Sequence, residues 1–234
     1  DKHGNLWIGK EDGVIKYDRS THRLMALPPA PNNTGEQAVT ALLDLGNGEI
    51  LIAAYNGLSI LDTRTLTSRF ITHDPNKPQG MPNGQSFLSL AKSQDGAIWI
   101  GTRQGLIKAD WDKQIFQLYL PNADNPTSLP ENAVWALDED QDGSLWVGSH
   151  AGMYNFNPKT EKFRLYANAP NDKRSLAGNY TWDIHFDKDN FLWHCRDKWG
   201  VSLYDRNHYN FIRFKQDYGK PGTLAHYAKR KIFT

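Results

Sequence analysis

The sequence has very little of several features that would place a chain of 234 residues in a class at once. Cysteine occurs only at Cys195, so the chain can form no internal disulfide and offers no C-x-x-C pair for a metal or a redox reaction. The charges nearly cancel, with 27 basic and 26 acidic residues, and no apolar run approaches the ~18 residues of a membrane span. We therefore expect no nucleic-acid partner and no membrane contact within this segment.

Helical spacing of apolar residues is also missing, and a repeated phrase takes its place. The phrase begins at positions 4, 48, 96, 143 and 190, in steps of 44, 48, 47 and 47 residues, which is typical of a repeat architecture. Its copies read GNLWIGKEDG, GEILIAAYNG, GAIWIGTRQG, GSLWVGSHAG and the most altered one, NFLWHCRDKWG. We therefore predict a single domain or segment with repeats over residues 1–37, 38–85, 86–132, 133–179 and 180–226 and a last strand over 227–234.

Each repeat predicts four short strands. The first strand is apolar or alternating and is expected over residues 39–45, 87–91, 133–137 and 180–186. An Asp-Gly or Asn-Gly turn mostly follows it, because such turns supply the positive φ that a tight hairpin requires. Four strands in about 47 residues predict a blade of a β-propeller, so we predict an all-β fold with about five four-stranded antiparallel blades.

The repeated phrase itself predicts scaffold. Its tryptophans at 7, 99 and 146 are large enough to fill the space between two packed sheets. Two places further on stands a small residue, which permits the neighbouring sheet to approach closely: Gly9, Ala53, Gly101 and Gly148. Cys195 occupies this packing position in the fifth repeat and is expected to be buried and inert.

Residues 128–149, SLPENAVWALDEDQDGSLWVGS, preceded by Asn125-Pro126-Thr127, resemble the two-component regulator propeller repeat. The resemblance extends over nearly the whole chain and is weakest in the second repeat. Members of that family form the periplasmic sensor region of large bacterial membrane receptors that carry a kinase or diguanylate cyclase. The resemblance implies a periplasmic ligand-sensing propeller that binds a small polar ligand such as a saccharide fragment. It also implies other domains of the same receptor as partners, with a homodimer left open. We expect no catalysis, cofactor or metal.

The two ends of the chain bear on the number of blades. Asp1 falls within a turn and residues 228–234 align with a first strand, so the tail would complete the blade that Asp1 begins. The chain is then either a five-bladed ring or part of a larger one. We favour a segment of a seven-bladed propeller, because seven is the usual number in the family, and expect a piece excised from a longer protein.

The ligand is expected on the face that carries the long loops and the turns after the second strands. The loops cover residues 28–37, 74–85, 121–132, 168–179 and 216–226 and are either functional or ordinary spacers. The turns vary while the scaffold repeats, and aromatic faces with Arg and His suit a polyhydroxylated or anionic ligand. The predicted ligand contacts are Tyr55, Arg103, His150, Arg196, Asp197 and Trp199 in the turns, and Trp135 and Trp182 near the first strands. The alternative for the turn residues is an ordinary exposed polar side chain, and for the two tryptophans it is core packing. For the turn of the fifth repeat, degeneration of the blade or contact with a neighbouring domain is an equal alternative.

Other polar groups have a structural interpretation. Recurring amides at Gln37, Gln85, Asn132 and Asn179 are expected to hold the loops through backbone hydrogen bonds. Residues 138–143 match half of a calcium loop, but Ser149 stands where a bidentate Glu is needed, so we interpret them as a strand end and a turn. His185 and His194 would face each other across a hairpin.

Two other classes of function stay open. Propellers also carry glycoside hydrolases and lyases, and hydrolysis would need two carboxylates about 5–10 Å apart. Asp183 is one candidate, and the sequence identifies no partner for it. The third alternative is a protein-interaction or dimerisation platform, which a large exposed apolar patch would favour.

Overall fold

The structure is a computed structural model, and it describes residues 1–27, 38–74, 76–77, 79–83, 85–196, 200–206, 208 and 210–214. These residues form strands and turns. None of them belongs to a helix long and apolar enough to cross a membrane. The predicted strand over 228–234 and the loops 28–37 and 216–226 lie outside the described residues.

The chain divides into two compact units, and the first comprises Asp1–Lys92 with Gly96–Leu118. Sheet 1 contains β1 (Leu6–Lys10), β2 (Gly13–Asp18) and β3 (Arg23–Leu27). Sheet 2 contains β4 (Val39–Asp44), β5 (Glu49–Ala54), β6 (Gly57–Asp62) and β7 (Ser68–Ile71). Sheet 3 contains β8 (Phe87–Lys92), β9 (Ile98–Thr102), β10 (Leu106–Asp110) and β11 (Ile115–Tyr119).

The second unit comprises Ser93–Asp95 with Tyr119–Thr234. Sheet 4 contains β12 (Ala136–Glu139), β13 (Leu145–Gly148), β14 (Met153–Asn157) and β15 (Lys162–Tyr166). Sheet 5 contains β16 (Asp183–Phe186), β17 (Leu192–Arg196), β18 (Gly200–Asp205) and β19 (Asn210–Phe214). The strands of each of the five sheets are adjacent in chain order, which confirms the blade predicted for each repeat.

The turns after the first strands have the predicted backbone geometry. Gly143 has a φ of 75°, a left-handed conformation that side chains disfavour. In the altered fifth repeat Asn190 takes the same conformation, with a φ of 62°. Asn tolerates this region better than most residues, so the hairpin survives the loss of glycine.

The tryptophans of the repeated phrase pack as predicted. Trp99 and Trp146 are almost fully buried, and the Trp146 ring contacts Tyr166, Phe186 and Tyr204. The sequence pattern did not reveal a polar partner that three phrase tryptophans share, an Asp six residues before Trp7, Trp146 and Trp193. The indole N–H donates to that carboxylate at 2.8 Å in Trp7–Asp1, 3.3 Å in Trp146–Asp140 and 2.7 Å in Trp193–Asp187. The turn therefore also satisfies the buried end of the tryptophan.

The small residues after the tryptophans lie at close sheet contacts, which confirms their predicted role. A Cβ on Gly148 would lie 2.4 Å from Thr181 Cγ2, and one on Gly9 would lie 2.5 Å from Val39 Cγ1. Both distances are too short for real atoms. Thr181 therefore holds the same place in its repeat that Val39 holds in the second.

The first strands of sheets 4 and 5 begin at Ala136 and Asp183, later than the predicted starts at 133 and 180. The backbone before them bonds elsewhere, since Thr181 N donates to Ser149 O of the neighbouring sheet at 2.8 Å. Sheets 2 and 3 have a register shift at the corresponding position, between Val39 and Ala41 and between Phe87 and Ser89. The apolar pattern could not reveal this, because it continues through the irregular segment.

Candidate functional site

Four rings come together in the second unit, and we call Trp135, His150, Tyr180 and Trp182 the aromatic cluster. Trp135 stacks on His150, with ring centroids 4.9 Å apart and planes 13° apart. Trp182 meets both rings edge-on, at 5.1 Å from Trp135 and 5.9 Å from His150. Tyr180 lies 4.8 Å from His150. Three of the predicted contact residues are therefore neighbours in space.

The irregular backbone before the first strands positions these rings. Trp135 N donates to Gly148 O at 2.8 Å, and Trp182 N donates to Cys195 O at 3.0 Å. The Thr181–Ser149 bond joins the two sheets between the rings, because Ser149 precedes His150 and Thr181 separates Tyr180 from Trp182. A hydrogen bond fixes the turn that carries His150: Ala151 N donates to the Glu131 carboxylate at 2.8 Å.

The aromatic cluster combines apolar faces with unsatisfied polar atoms. Tyr180 is 55% exposed, whereas the other three side chains are half-buried. Trp135 Nε1 and His150 Nε2 are buried and have no hydrogen-bond partner among the described residues. Buried polar atoms are nearly always paired in native proteins, with protein groups, water or a ligand. The arrangement can cover an apolar ligand face and bond to a hydroxyl group.

In the altered fifth repeat, Arg196 packs against the loop 168–179. Arg196 is 8% exposed, and its Nη1 donates to Ala177 O. A Cβ on Gly178 would overlap the same guanidinium group, so the loop passes directly over it. Cys195 is buried, as predicted. Arg196 therefore contacts the backbone of the loop that leads to Tyr180 and helps to fix its position.

His194 is a buried titratable group of this region. It is fully buried, and its Nε2 lies 3.0 Å from Thr181 Oγ1. Burial, followed by the charge of Arg196, lowers the pKa of His194 from 6.5 to about 3, so the ring is neutral near pH 7. His194 does not face His185, because the β16–β17 register pairs His194 with Ile184 and His185 with Trp193. The two histidines therefore lie on opposite faces of sheet 5, and the expectation that they face each other is wrong.

A second group of predicted residues lies in the first unit. The Arg103 guanidinium lies over the Tyr55 ring, 5.2 Å from its centroid. Arg103 is exposed, and the rest of its turn is fixed by Arg103 N, which donates to Ser86 O at 2.9 Å. This pair offers a cation backed by an aromatic face, which suits an anionic group.

Two predicted contacts, Asp197 and Trp199, lie outside the described residues. Tyr180 was not among the predicted contacts. A signal for it was present, since it directly follows the recurring amide Asn179, but a single exposed aromatic residue carries little weight without its neighbours.

The long loops 121–132 and 168–179 are held in shape by internal hydrogen bonds. Ser128 Oγ accepts from Asn122 N at 3.0 Å, and Ser175 Oγ accepts from Ala169 N at 2.8 Å. The following residues, Leu129 and Leu176, are almost fully buried and anchor the loops. The predicted role of the amides is confirmed for Gln85, which bonds to Asn83 O, and for Asn179, which bonds to Asn168 N. The middle of each loop thus favours the spacer interpretation.

A groove of about 350 Å³ lies beside the loop 168–179, at the outer strands β15 and β19. Its walls include Tyr166, Asp172, Arg174, His208 and Phe211. Most of its polar groups already have protein partners: Arg174 lies 3.5 Å from Asp172, and His208 lies 2.7 Å from Asp205. The groove contains none of the predicted contacts, so the aromatic cluster is the better candidate.

Carboxylates meet where the first strands of sheets 4 and 5 pack together. Asp138 Oδ2 lies 3.3 Å from His185 Nδ1 and accepts from Phe186 N at 2.7 Å. Burial raises the pKa of Asp138, and the charge of Asp183 acts in the same direction. Asp140 forms an ion pair with Arg206. Residues 138–143 form a strand end and a turn, as predicted. Within the described residues, no three His, Cys, Asp or Glu side chains form a group that could hold a metal ion.

Comparison with known proteins connects these features to a repeat family. Residues 128–151 match the family model described as two component regulator propeller. No curated protein matches the chain.

Solved structures share the fold. One is described as the extracellular domain of a hybrid two component system from Bacteroides thetaiotaomicron, with 21% identity, a TM-score of 0.73 and 91% of this chain covered. This chain covers 28% of that one, so it corresponds to a minor part of the longer protein.

Lyases have a similar fold, with lower TM-scores. A streptogramin B lyase has 16% identity and a TM-score of 0.65, covering 92% of this chain and 66% of its own. An inactive virginiamycin B lyase variant from Staphylococcus aureus, solved with quinupristin, has 18% identity, a TM-score of 0.58 and coverages of 78% and 57%. Residues 128–151 thus match the two component regulator propeller repeat, in a chain that has the β-propeller fold.

Proposed function

We propose that this chain is an extracytoplasmic ligand-sensing module of a bacterial signal-transduction receptor and that it does not catalyse a reaction. A small polar ligand such as a saccharide fragment binds at the aromatic cluster. The observation that carries the proposal is the convergence of Trp135, His150, Tyr180 and Trp182, with two ring nitrogens that have no hydrogen-bond partner among the described residues.

The chemistry of the cluster favours a saccharide. Sugar rings present C–H faces that pack on aromatic rings, and their hydroxyl groups both donate and accept hydrogen bonds. Trp135 Nε1 can only donate, whereas His150 Nε2 donates or accepts according to its tautomer. Tyr180 provides the exposed ring to which a ligand has direct access.

The receptor context is part of the same proposal. The resemblance to the extracellular domain of a hybrid two component system supports a periplasmic location and other receptor domains as partners. Tyr55 and Arg103 form a further candidate contact, and their chemistry favours an anionic group such as a uronate.

The proposal is tested by a thermal-shift screen with neutral and uronate-containing di- and trisaccharides and small carboxylic acids, followed by calorimetry. Tyr180→Ala is expected to weaken binding of the best saccharide by about tenfold or more, because it removes the most accessible ring. Phe191→Ala is the matched control, because Phe191 is a similarly exposed aromatic residue (46%) of the same unit. No saccharide binding, or equal affinity in both variants, would contradict the proposal.

A lyase or hydrolase is the second candidate. The observation that favours it is the group formed by Asp138, His185 and Asp183, which supplies the second carboxylate that the sequence analysis did not identify. The matching lyase structures support only the fold. Loss of a saccharide or streptogramin substrate over time, abolished by Asp138→Asn, would favour this candidate over sensing.

A further inference from the structure

The fifth repeat differs from the others at two positions that meet in space. His194 stands where the other repeats have an apolar residue, namely Ile8, Ile52, Ile100 or Val147. Thr181 stands where the earlier repeats have Val39, Phe87 or Val134. Because His194 Nε2 lies 3.0 Å from Thr181 Oγ1, two apolar positions have been replaced by a hydrogen-bonded pair.

This pair lies directly under the aromatic cluster. Thr181 is fully buried, and its neighbours along the chain are Tyr180 and Trp182. Its backbone N–H bonds to Ser149 O, next to His150, and its Cγ2 fills the space above Gly148. Any rotation of Thr181 therefore moves the segment that carries two of the four rings.

Within the described residues, Thr181 Oγ1 is the one hydrogen-bond partner of the His194 imidazole nitrogens. His194 Nδ1 has no hydrogen-bond partner there, and neither has Ser202 Oγ, on the residue that the β17–β18 register places opposite. Burying these polar side chains costs more free energy than burying the apolar pair of the other repeats. What the polar pair adds is direction. A hydrogen bond has a preferred geometry that an apolar contact lacks.

We propose that His194 is a positioning residue for the aromatic cluster: through Thr181 it holds Tyr180 and Trp182 in the arrangement that contacts the ligand. This inference rests on the proposed function, since it assigns the cluster to ligand binding. It also gives the altered fifth repeat a role, because the residues that break the repeated phrase support the site from below.

The decisive variant restores the apolar pair of the other repeats, Thr181→Val with His194→Ile. Its packing resembles that of sheets 2 to 4, so it is expected to fold. The measurement is the set of indole N–H resonances in a ¹H–¹⁵N spectrum without ligand, with the Trp135 and Trp182 signals assigned through Trp→Phe variants. We expect both signals to move, while Thr181→Ser, which keeps the hydroxyl, and Ser202→Ala leave them in place.

Unchanged Trp135 and Trp182 signals in the double variant would overturn the proposal. If the double variant does not fold, Thr181→Val compared with Thr181→Ser on the same signals decides the question. Calorimetry with the best saccharide of the screen is expected to give about tenfold weaker binding per folded molecule in the double variant. The indole signals need no ligand, so absence of saccharide binding refutes the proposed function without affecting this test.

Discussion

The tryptophans of this chain have two kinds of surroundings, and these decide what each ring does. Trp99 and Trp146 are buried between sheets and carry the packing of their repeats. Trp135 and Trp182 are half-buried, touch each other and leave part of their surface open. The same residue type therefore serves as scaffold in the repeated phrase, at Trp146, and as candidate binding surface 11 residues earlier, at Trp135.

Removal of the two kinds of ring should have different effects on stability. Trp146→Ala is expected to lower the free energy of unfolding by about 3–5 kcal/mol, because it leaves a cavity among Tyr166, Phe186 and Tyr204. Trp182→Ala is expected to cost less than about 2 kcal/mol. Urea unfolding monitored by circular dichroism measures both values, and equal losses would contradict the distinction.

His194 predicts a specific dependence of stability on pH. Its pKa falls from 6.5 to about 3 on folding, so between these values the unfolded chain binds a proton that the folded chain does not. Stability should therefore fall as the pH falls from 6.5 toward 3, by at most about 1.4 kcal/mol per pH unit from this group. The paired variant Thr181→Val with His194→Ile is expected to lose this slope. An identical slope in unfolding experiments at pH 4 to 6 would show that His194 is not buried and neutral.

Neighbouring sheets depend on close approach at Gly148. Gly148→Ala is expected to lower stability by about 1–3 kcal/mol, because the new methyl group would overlap Thr181 Cγ2. Thr181→Ser removes that carbon and should recover part of the loss when the two substitutions are combined. A double-mutant cycle with strictly additive effects would mean that the two sheets do not meet at this point.

The long loops offer a matched comparison at two serines. Both hydroxyl groups close their loops, but Ser175 Oγ also accepts from Arg213 Nη2 at 2.8 Å. Ser175→Ala is therefore expected to cost about 1–2 kcal/mol more than Ser128→Ala, since a hydrogen bond from a charged group is lost as well. Thermal unfolding of both variants tests this, and a larger loss for Ser128→Ala would contradict it.

The sequence predicts most of the architecture of the described chain, because turn glycines and alternating strands are local signals. It does not predict where β12 and β16 begin, since the apolar pattern continues through residues that bond to a neighbouring sheet. The site is predicted in part: Trp135, His150 and Trp182 meet, whereas Tyr180 and the pairing of Thr181 with His194 follow only from the spatial arrangement. These two features depend on which side chains the fold brings together, and neither the contact of Tyr180 with His150 nor the Thr181–His194 pair has a local signature in the sequence.

As a whole, the molecule combines a repeated scaffold with one repeat that departs from it. The departures, His194 and Thr181, lie beneath the aromatic cluster and not in the turns where the sequence analysis first sought the ligand. In the sensing module proposed above, specificity would reside in a small part of a regular fold.

The central claim is that a polar ligand binds at the aromatic cluster, and its most direct test is a ¹H–¹⁵N titration that monitors the eight tryptophan indoles. With the best saccharide of the screen, we predict saturable shifts of the Trp135 and Trp182 signals, while those of Trp99 and Trp146 stay in place. Saturable binding that leaves the Trp135 and Trp182 signals unchanged would contradict the account.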